Sequence, residues 1–318
     1  MNPQGIQTVE RVVVVPRSGY INRLQAMASA ALLAQHYEAE FKVCWEPQSI
    51  APAAAEVIFN TSFVDQHLLS TYSFREQFGY ECSDVPRYLN CDAHVISLAG
   101  YEYGEQFFMP DLQGLIANLK HPLEVVISAG GNFSLSDPDM ACEERGNWYR
   151  NFVFSRAVEQ AVKEIIDVNG RYIGLHLRYT DRAHETPLTR EIDAAIRKQV
   201  DLTGVTSVFV SSDTPAQRDK WLKKLSESGL KPWAAQLSSH DRANELAGVG
   251  AMVDWKVLGS AVSSVYFEAS SFGREAAVMA GSTATSTALA GHPFHKWKSR
   301  GSSVASAVLH YPKNHWGR

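Results

Sequence analysis

RYIGLHLRYTD (Arg171 to Asp181), TSVFVSSDTP (Thr206 to Pro215) and SVYFEASSFGRE (Ser264 to Glu275) share one layout. Each opens with a short apolar run rich in β-branched or aromatic residues, turns polar at its end, and is followed by a helical pattern. The following helices are expected over Pro187–Val200, Pro215–Ser226 and Gly273–Met279. A further helix is expected over Val253–Ser260 and a last strand in STATSTAL (282–289). Strands separated by helices pair in parallel, because a crossover is too long for a hairpin. This half therefore reads as a doubly wound α/β unit.

The same alternation occurs earlier in the chain. RVVVV (11–15) reads as a strand, and Asn22 to His36 as a helix with Leu24, Met27, Ala31 and Ala34 on its apolar side. FKVCW (41–45), His94–Leu98 and Glu124–Ser128 read as further strands. Residues from about Ala51 to Asp92 read as irregular, as does Tyr101–Pro110, and such loops are plausible substrate surfaces. An amphipathic helix begins at the candidate cap Ser155 and stops near Asn169-Gly170. The sequence thus divides into two Rossmann-like domains facing across a cleft, residues 1–155 and 156–318.

Composition narrows the function. The chain has 318 residues, 45% hydrophobic and 20% charged, with a formal net charge of -4. That balance suits a globular protein with a sizeable core and lacks the basic stripe of a nucleic-acid binder. No apolar run is long enough to span a bilayer, and the first 15 residues lack the apolar core of a secretory leader, so a cytoplasmic location is expected. The four cysteines show no metal-ligand spacing, and Cys82 and Cys91 bracket a loop that would let them pair only under oxidising conditions.

Four segments carry candidate chemistry. His176 and Arg178 lie two apart at the C-terminal end of a strand, so they face one side, where doubly wound sheets bind ligands. A guanidinium there can grip a phosphate bidentately, with Asp181 in the loop beyond. Alternatively, Arg178 and Asp181 pair to tie down a turn. Asp213 ends the next strand and is a candidate site carboxylate, unless it or Thr214 simply caps the following helix. Ser270, Ser271 and Phe272 open a helix whose amides form a ready anion site, unless they are a plain cap. Asp254 lies upstream, as a site carboxylate or a helix N-cap. Asn22 and Arg23 follow a short Gly-containing turn, which lacks the GxGxxG of a dinucleotide site.

In this order, the segments resemble the superfamily of α1,6-fucosyltransferases, rhizobial nodulation fucosyltransferases and protein O-fucosyltransferases. The resemblance rests on Asn22-Arg23, His176-Leu-Arg178-Tyr-Thr-Asp181, Ser212-Asp213, Asp254 and Ser270-Ser271-Phe272, and runs to about residue 282. Many members carry a second arginine where this chain has Tyr179, a departure the nodulation branch shares, and a glycine where it has Ile21. The resemblance implies a GT-B-like architecture, a GDP-fucose donor held by the C-terminal half, a hydroxyl acceptor such as a glycan, and transfer with inversion. Arg178 would take the diphosphate, and no metal or other cofactor would be needed, since no DxD-like pair stands in a suitable loop. Glu102, Glu105, His184 and Glu185 are loop candidates for the general base. Two rival readings stay open: a transferase using a UDP- or dTDP-sugar, and a non-catalytic nucleotide- or glycan-binding protein on the same fold.

Overall fold

The computed structural model describes residues 9–87, 95–97, 109–119, 123–180, 186–235 and 245–291. Two parallel sheets organise it. The first has strand order β2-β1-β4-β3, from β1 (Arg11–Pro16), β2 (Glu40–Val43), β3 (Val95–Ser97) and β4 (Glu124–Ala129). Val12 to Val15 of β1 are buried on both faces, which a central parallel strand requires. Helix α1 (Tyr20–His36) crosses from β1 to β2, closing the expected strand-helix-strand unit.

The stretch read as irregular is largely helical as far as Arg87. It holds α2 (Ala55–Ile58), α3 (Thr61–His67), α4 (Thr71–Phe78) and a 3₁₀ turn over Cys82–Arg87. Its short helices are set by caps: the Asn60 side chain accepts from the Phe63 amide, and Ser70 accepts from that of Ser73. Helices this short give too few turns for a visible apolar period. After α5 (Met109–Ala117) and β4 comes a helix that the periodicity did not reveal, α6 (Pro138–Asn151). It starts at the Asp137 cap, which accepts from the amides of Asp139 and Met140. Then α7 (Arg156–Asn169) follows Ser155, which occupies the cap position without making a side-chain capping bond.

The second sheet has order β7-β6-β5-β8-β9, all parallel. Its elements are β5 (Ile173–Leu177), α8 (Thr189–Thr203), β6 (Ser207–Ser212), α9 (Pro215–Glu227), β7 (Lys231–Trp233), α10 (Glu245–Leu258), β8 (Ser263–Phe267), α11 (Ser271–Ala280) and β9 (Thr287–Leu289). The chain starts at β5, winds outward to β7, and returns on the other side of β5 through β8. That reversal makes β5/β8 the topological switch point, where doubly wound sheets bind ligands.

Helix α10 runs well upstream of the expected start at Val253, because Gly248 and Gly250 blur its pattern. Gly248 is required by packing: a Cβ there would sit 2.7 Å from both the Tyr20 hydroxyl and the Ala53 Cβ. One apolar core passes through both halves, with Tyr149 of α6 meeting Trp255 of α10 edge-on at 5.1 Å. Among the described residues no helix is long and apolar enough to cross a membrane.

Candidate functional site

His176, the penultimate residue of β5, is buried, and its Nε2 lies 2.9 Å from the Ser270 hydroxyl. Ser270 is the cap residue of α11, yet its side chain makes no capping bond. The turn that ends β8 is thereby fastened to β5 across the switch point. Phe272 stacks on the His176 ring at 4.8 Å, tilted by 20°. The stack needs Gly273 behind it, where a Cβ would stand 2.4 Å from the Tyr266 Cβ and 3.2 Å from His176 Cδ2. Burial lowers the His176 pKa to about 3, so the imidazole is neutral near pH 7, and its Nδ1 has no hydrogen-bond partner among the described residues.

Beside His176 in the sheet register stands Ser211 of β6. Its hydroxyl donates to Asp254 Oδ2 at 3.0 Å. Asp254 is an interior residue of α10, so the N-cap alternative does not hold. Its carboxyl group is buried, and Oδ1 has no partner among the described residues. Burial raises its pKa from 3.8 to about 7, against the smaller opposing effects of the Ser211 bond and Arg218. Asp254, Ser211, His176, Ser270 and Phe272 thus form a continuous line of contacts across β6, β5 and the start of α11.

Asp213 is not the cap of α9 either. That position falls to Thr214, which makes no capping bond. The Asp213 carboxylate instead accepts from the amides of Tyr179 and Thr180, at 2.9 and 3.1 Å, and from the Thr180 hydroxyl at 2.6 Å. It holds the backbone that leaves Arg178, which is half-buried just past β5. Ser271 is also half-buried, in the first turn of α11. Asp181, His184 and Glu185 lie outside the described residues, as do Glu102, Glu105 and Cys91.

The β1–α1 turn is a second polar centre. Ser18 adopts φ +68°, unusual for a residue with a Cβ. Its hydroxyl accepts from Asn22 Nδ2 at 3.1 Å, and its carbonyl from Arg23 Nε at 2.9 Å. Arg23 is fully buried, donates to the Glu46 carbonyl at 2.7 Å, and lies 4.7 Å from the centre of the Trp45 ring. Burial, then the nearby Arg17, lower its pKa to about 10, and Nη2 makes no hydrogen bond among the described residues. Sequence reasoning missed Arg17, which donates to Ser128 Oγ, to Glu46 and to the Cys82 carbonyl. It likewise missed the contact of Cys82 with Cys44, whose thiol is raised by its hydrogen bond to Cys82 and by burial. These links join distant segments, and no local spacing announces them.

Neither a protein-family model nor a curated sequence matches this chain. Its fold does match solved structures. POFUT1 in complex with GDP-fucose superposes with a TM-score of 0.52 at 12% identity, covering 89% of this chain and 97% of that one. A mutant of Arabidopsis thaliana FUT1 in complex with GDP gives 0.58 at 16%, covering 86% and 69%. NodZ α-1,6-fucosyltransferase soaked with GDP-fucose gives 0.54 at 16%, covering 85% and 92%. The chain is similar to these proteins in fold, and that fold is GT-B-like.

Proposed function

We propose that this chain is a glycosyltransferase that moves fucose from GDP-fucose to a hydroxyl acceptor, with inversion. The observation that carries the reading is the junction at the β5/β8 switch point, where His176, Ser270, Phe272, Ser211 and Asp254 converge. Solved structures of the same fold hold GDP-fucose or GDP. In the proposed division of labour, residues 156–318 bind the donor and residues 1–155 face the acceptor.

In the reaction an acceptor oxygen attacks the anomeric carbon from the face opposite the diphosphate. The bond from that carbon to the phosphate oxygen breaks as the new one forms, and GDP leaves with the electron pair. Charge therefore grows on the diphosphate oxygens. We assign its stabilisation to the Arg178 guanidinium, the first amides of α11 and the Ser271 hydroxyl, without a metal ion. Asp254 would read the nucleobase, and Asn22 and Arg23 would approach the donor from the other half, Arg23 through Nη2. The acceptor proton passes to a base, for which Glu102, Glu105, His184 and Glu185 remain the sequence candidates.

A second reading is favoured by Tyr179. Its ring packs edge-on against Phe267 at 6.0 Å, and its hydroxyl accepts from Trp221 Nε1 at 3.2 Å. The position where many similar proteins carry a second arginine thus offers no cation to a phosphate, which suits a nucleotide-binding protein without transferase activity. A thermal-shift panel of GDP, UDP, dTDP and ADP identifies the nucleotide, since a ligand at 100 times its Kd adds about 2.7 kcal/mol of stability. GDP-fucose hydrolysis with and without chelator then separates the readings. Stabilisation by GDP without hydrolysis leaves the binding reading, and no stabilisation by GDP overturns the donor assignment.

A further inference from the structure

Two thiols meet beside Arg17. Cys44 directly follows β2, and its amide donates to the Val14 carbonyl at 2.9 Å. Cys82 opens the 3₁₀ turn Cys82–Arg87. Both are buried, neither is in a disulfide, and they share one apolar cluster with Val13, Val15, Phe74 and Val85. Arg17 fixes their approach. Its guanidinium donates to Glu46, two residues past Cys44, at 3.2 Å, and also to the Cys82 carbonyl. One buried side chain thus draws the end of β2 and the start of the 3₁₀ turn together. There the Cys44 and Cys82 side chains hydrogen-bond to each other.

The two thiols differ in acidity. The hydrogen bond from Cys44, with Arg17 close by, lowers the Cys82 thiol below its usual value. The same bond, then burial, raises that of Cys44. Cys82 therefore supplies the thiolate, which is the reactive form, while Cys44 stays protonated beside it. Glu81 and Ser83 are exposed on either side of Cys82, so local opening of one short 3₁₀ turn brings the sulfur to solvent.

We propose that Cys44 and Cys82 are a redox pair, which a low-molecular-weight disulfide converts to an intramolecular disulfide tying the 3₁₀ turn to the end of β2. The Cys82 thiolate attacks one sulfur of the oxidant, whose other half leaves as a thiolate. Cys44 then attacks the Cys82 sulfur of the mixed disulfide, and the second half leaves. The two cysteine protons pass to the two departing thiolates, and the oxidant takes both electrons. The new bond closes a long loop of chain, which restricts the unfolded state more than the folded one. It takes the place of the Cys82–Cys91 pairing that sequence spacing offers. The proposal does not depend on the chain being a transferase.

The test equilibrates the full chain in glutathione buffers of stepped oxidised-to-reduced ratio, followed by acid quench, alkylation and peptide mapping. Oxidation should join Cys44 to Cys82, in wild type and in Cys91→Ala alike, and the oxidised protein should melt at a higher temperature than the reduced one. Cys44→Ala should stop the reaction halfway, with glutathione held on Cys82. If that variant does not fold, the wild-type and Cys91→Ala maps decide alone. Cys82 joined to Cys91 overturns the proposal. So do both thiols staying reduced at every ratio, or a melting temperature that falls on oxidation.

Discussion

Arg145 of α6 donates from Nε to the Glu275 carboxylate of α11 at 3.1 Å, and both side chains are buried. Tyr149 adds a bond to the same carboxylate at 2.9 Å, and Arg274 reaches its other oxygen at 3.2 Å. This contact fixes α11, whose first turn carries Ser271 and Phe272, against a helix of the first half. Burial alone would raise the Glu275 pKa, but Arg145 and Arg274 hold it below its usual value. Its stabilising share is present above the unfolded pKa and is lost as acid protonates it.

Glu275→Gln should therefore destabilise the fold by about 3–5 kcal/mol near pH 7, the usual cost of stranding one member of a buried ion pair. Glu275→Gln/Arg145→Met removes both charges and should regain much of that loss. Urea denaturation of wild type and both variants reads it. A loss below about 1 kcal/mol in the single variant, on the scale of an exposed pair, would show that Arg145 finds water instead.

Asp213 supports the backbone that carries Arg178. Replacing it with Ala removes the acceptor for two amides and the Thr180 hydroxyl, with an expected loss of about 1–3 kcal/mol. If the turn is what aims Arg178, GDP affinity should fall further than stability, and donor turnover further still. Intact GDP binding in a destabilised Asp213→Ala would reduce Asp213 to a brace for the sheet end.

These two contacts mark what the sequence could and could not disclose. The strands over 11–15, 124–128, 173–177 and 207–212 were legible because short, largely apolar, buried runs are bounded by sharp polar ends. His176 and Ser270 were legible as separate motifs, but their contact depends on β8 lying beside β5, a matter of strand order. Ser211 was invisible for the same reason: only the β5/β6 register sets it next to His176. Asp254 was placed at a helix start because two glycines hid the first turns of α10. Arg145 and Glu275 are 130 residues apart, and nothing local marks either as a partner.

Arg178 tests the proposed chemistry most directly. Lysine keeps the charge but loses the planar fork that grips a phosphate bidentately. Arg178→Lys should fold normally, retain weak GDP binding and lose at least tenfold in kcat for donor hydrolysis. Near wild-type turnover in both Arg178→Lys and Arg178→Ala would remove it from the reaction. Loss of folding in both would make it a structural tie.

Asp254 couples stability and ligand binding through one proton. Its folded pKa is about 7 and its ordinary value 3.8, so between these pH values the native carboxyl holds a proton that the unfolded chain has lost. Raising the pH through this window therefore favours the unfolded state, by at most about 1.4 kcal/mol per pH unit, and the effect levels off above pH 7. Asp254→Asn cannot ionise, so its stability relative to wild type should rise from pH 4 to 7 and then stay constant. Nucleotide binding should run the other way. Guanine offers two adjacent donors, the ring N–H and the exocyclic amine, and only the ionised carboxylate presents two acceptor oxygens to them. Wild-type GDP affinity should consequently strengthen from pH 6 to 8, and IDP, which lacks the amine, should bind more weakly than GDP. Asp254→Asn should bind GDP about 1–3 kcal/mol more weakly at pH 8 and lose the pH dependence. Calorimetry with GDP, IDP and UDP at pH 6, 7 and 8 reads all of this. Equal wild-type affinity for GDP and UDP would remove Asp254 as a guanine reader. The predicted pH dependence of stability would survive that result, because it requires only burial of the carboxyl beneath Ser211.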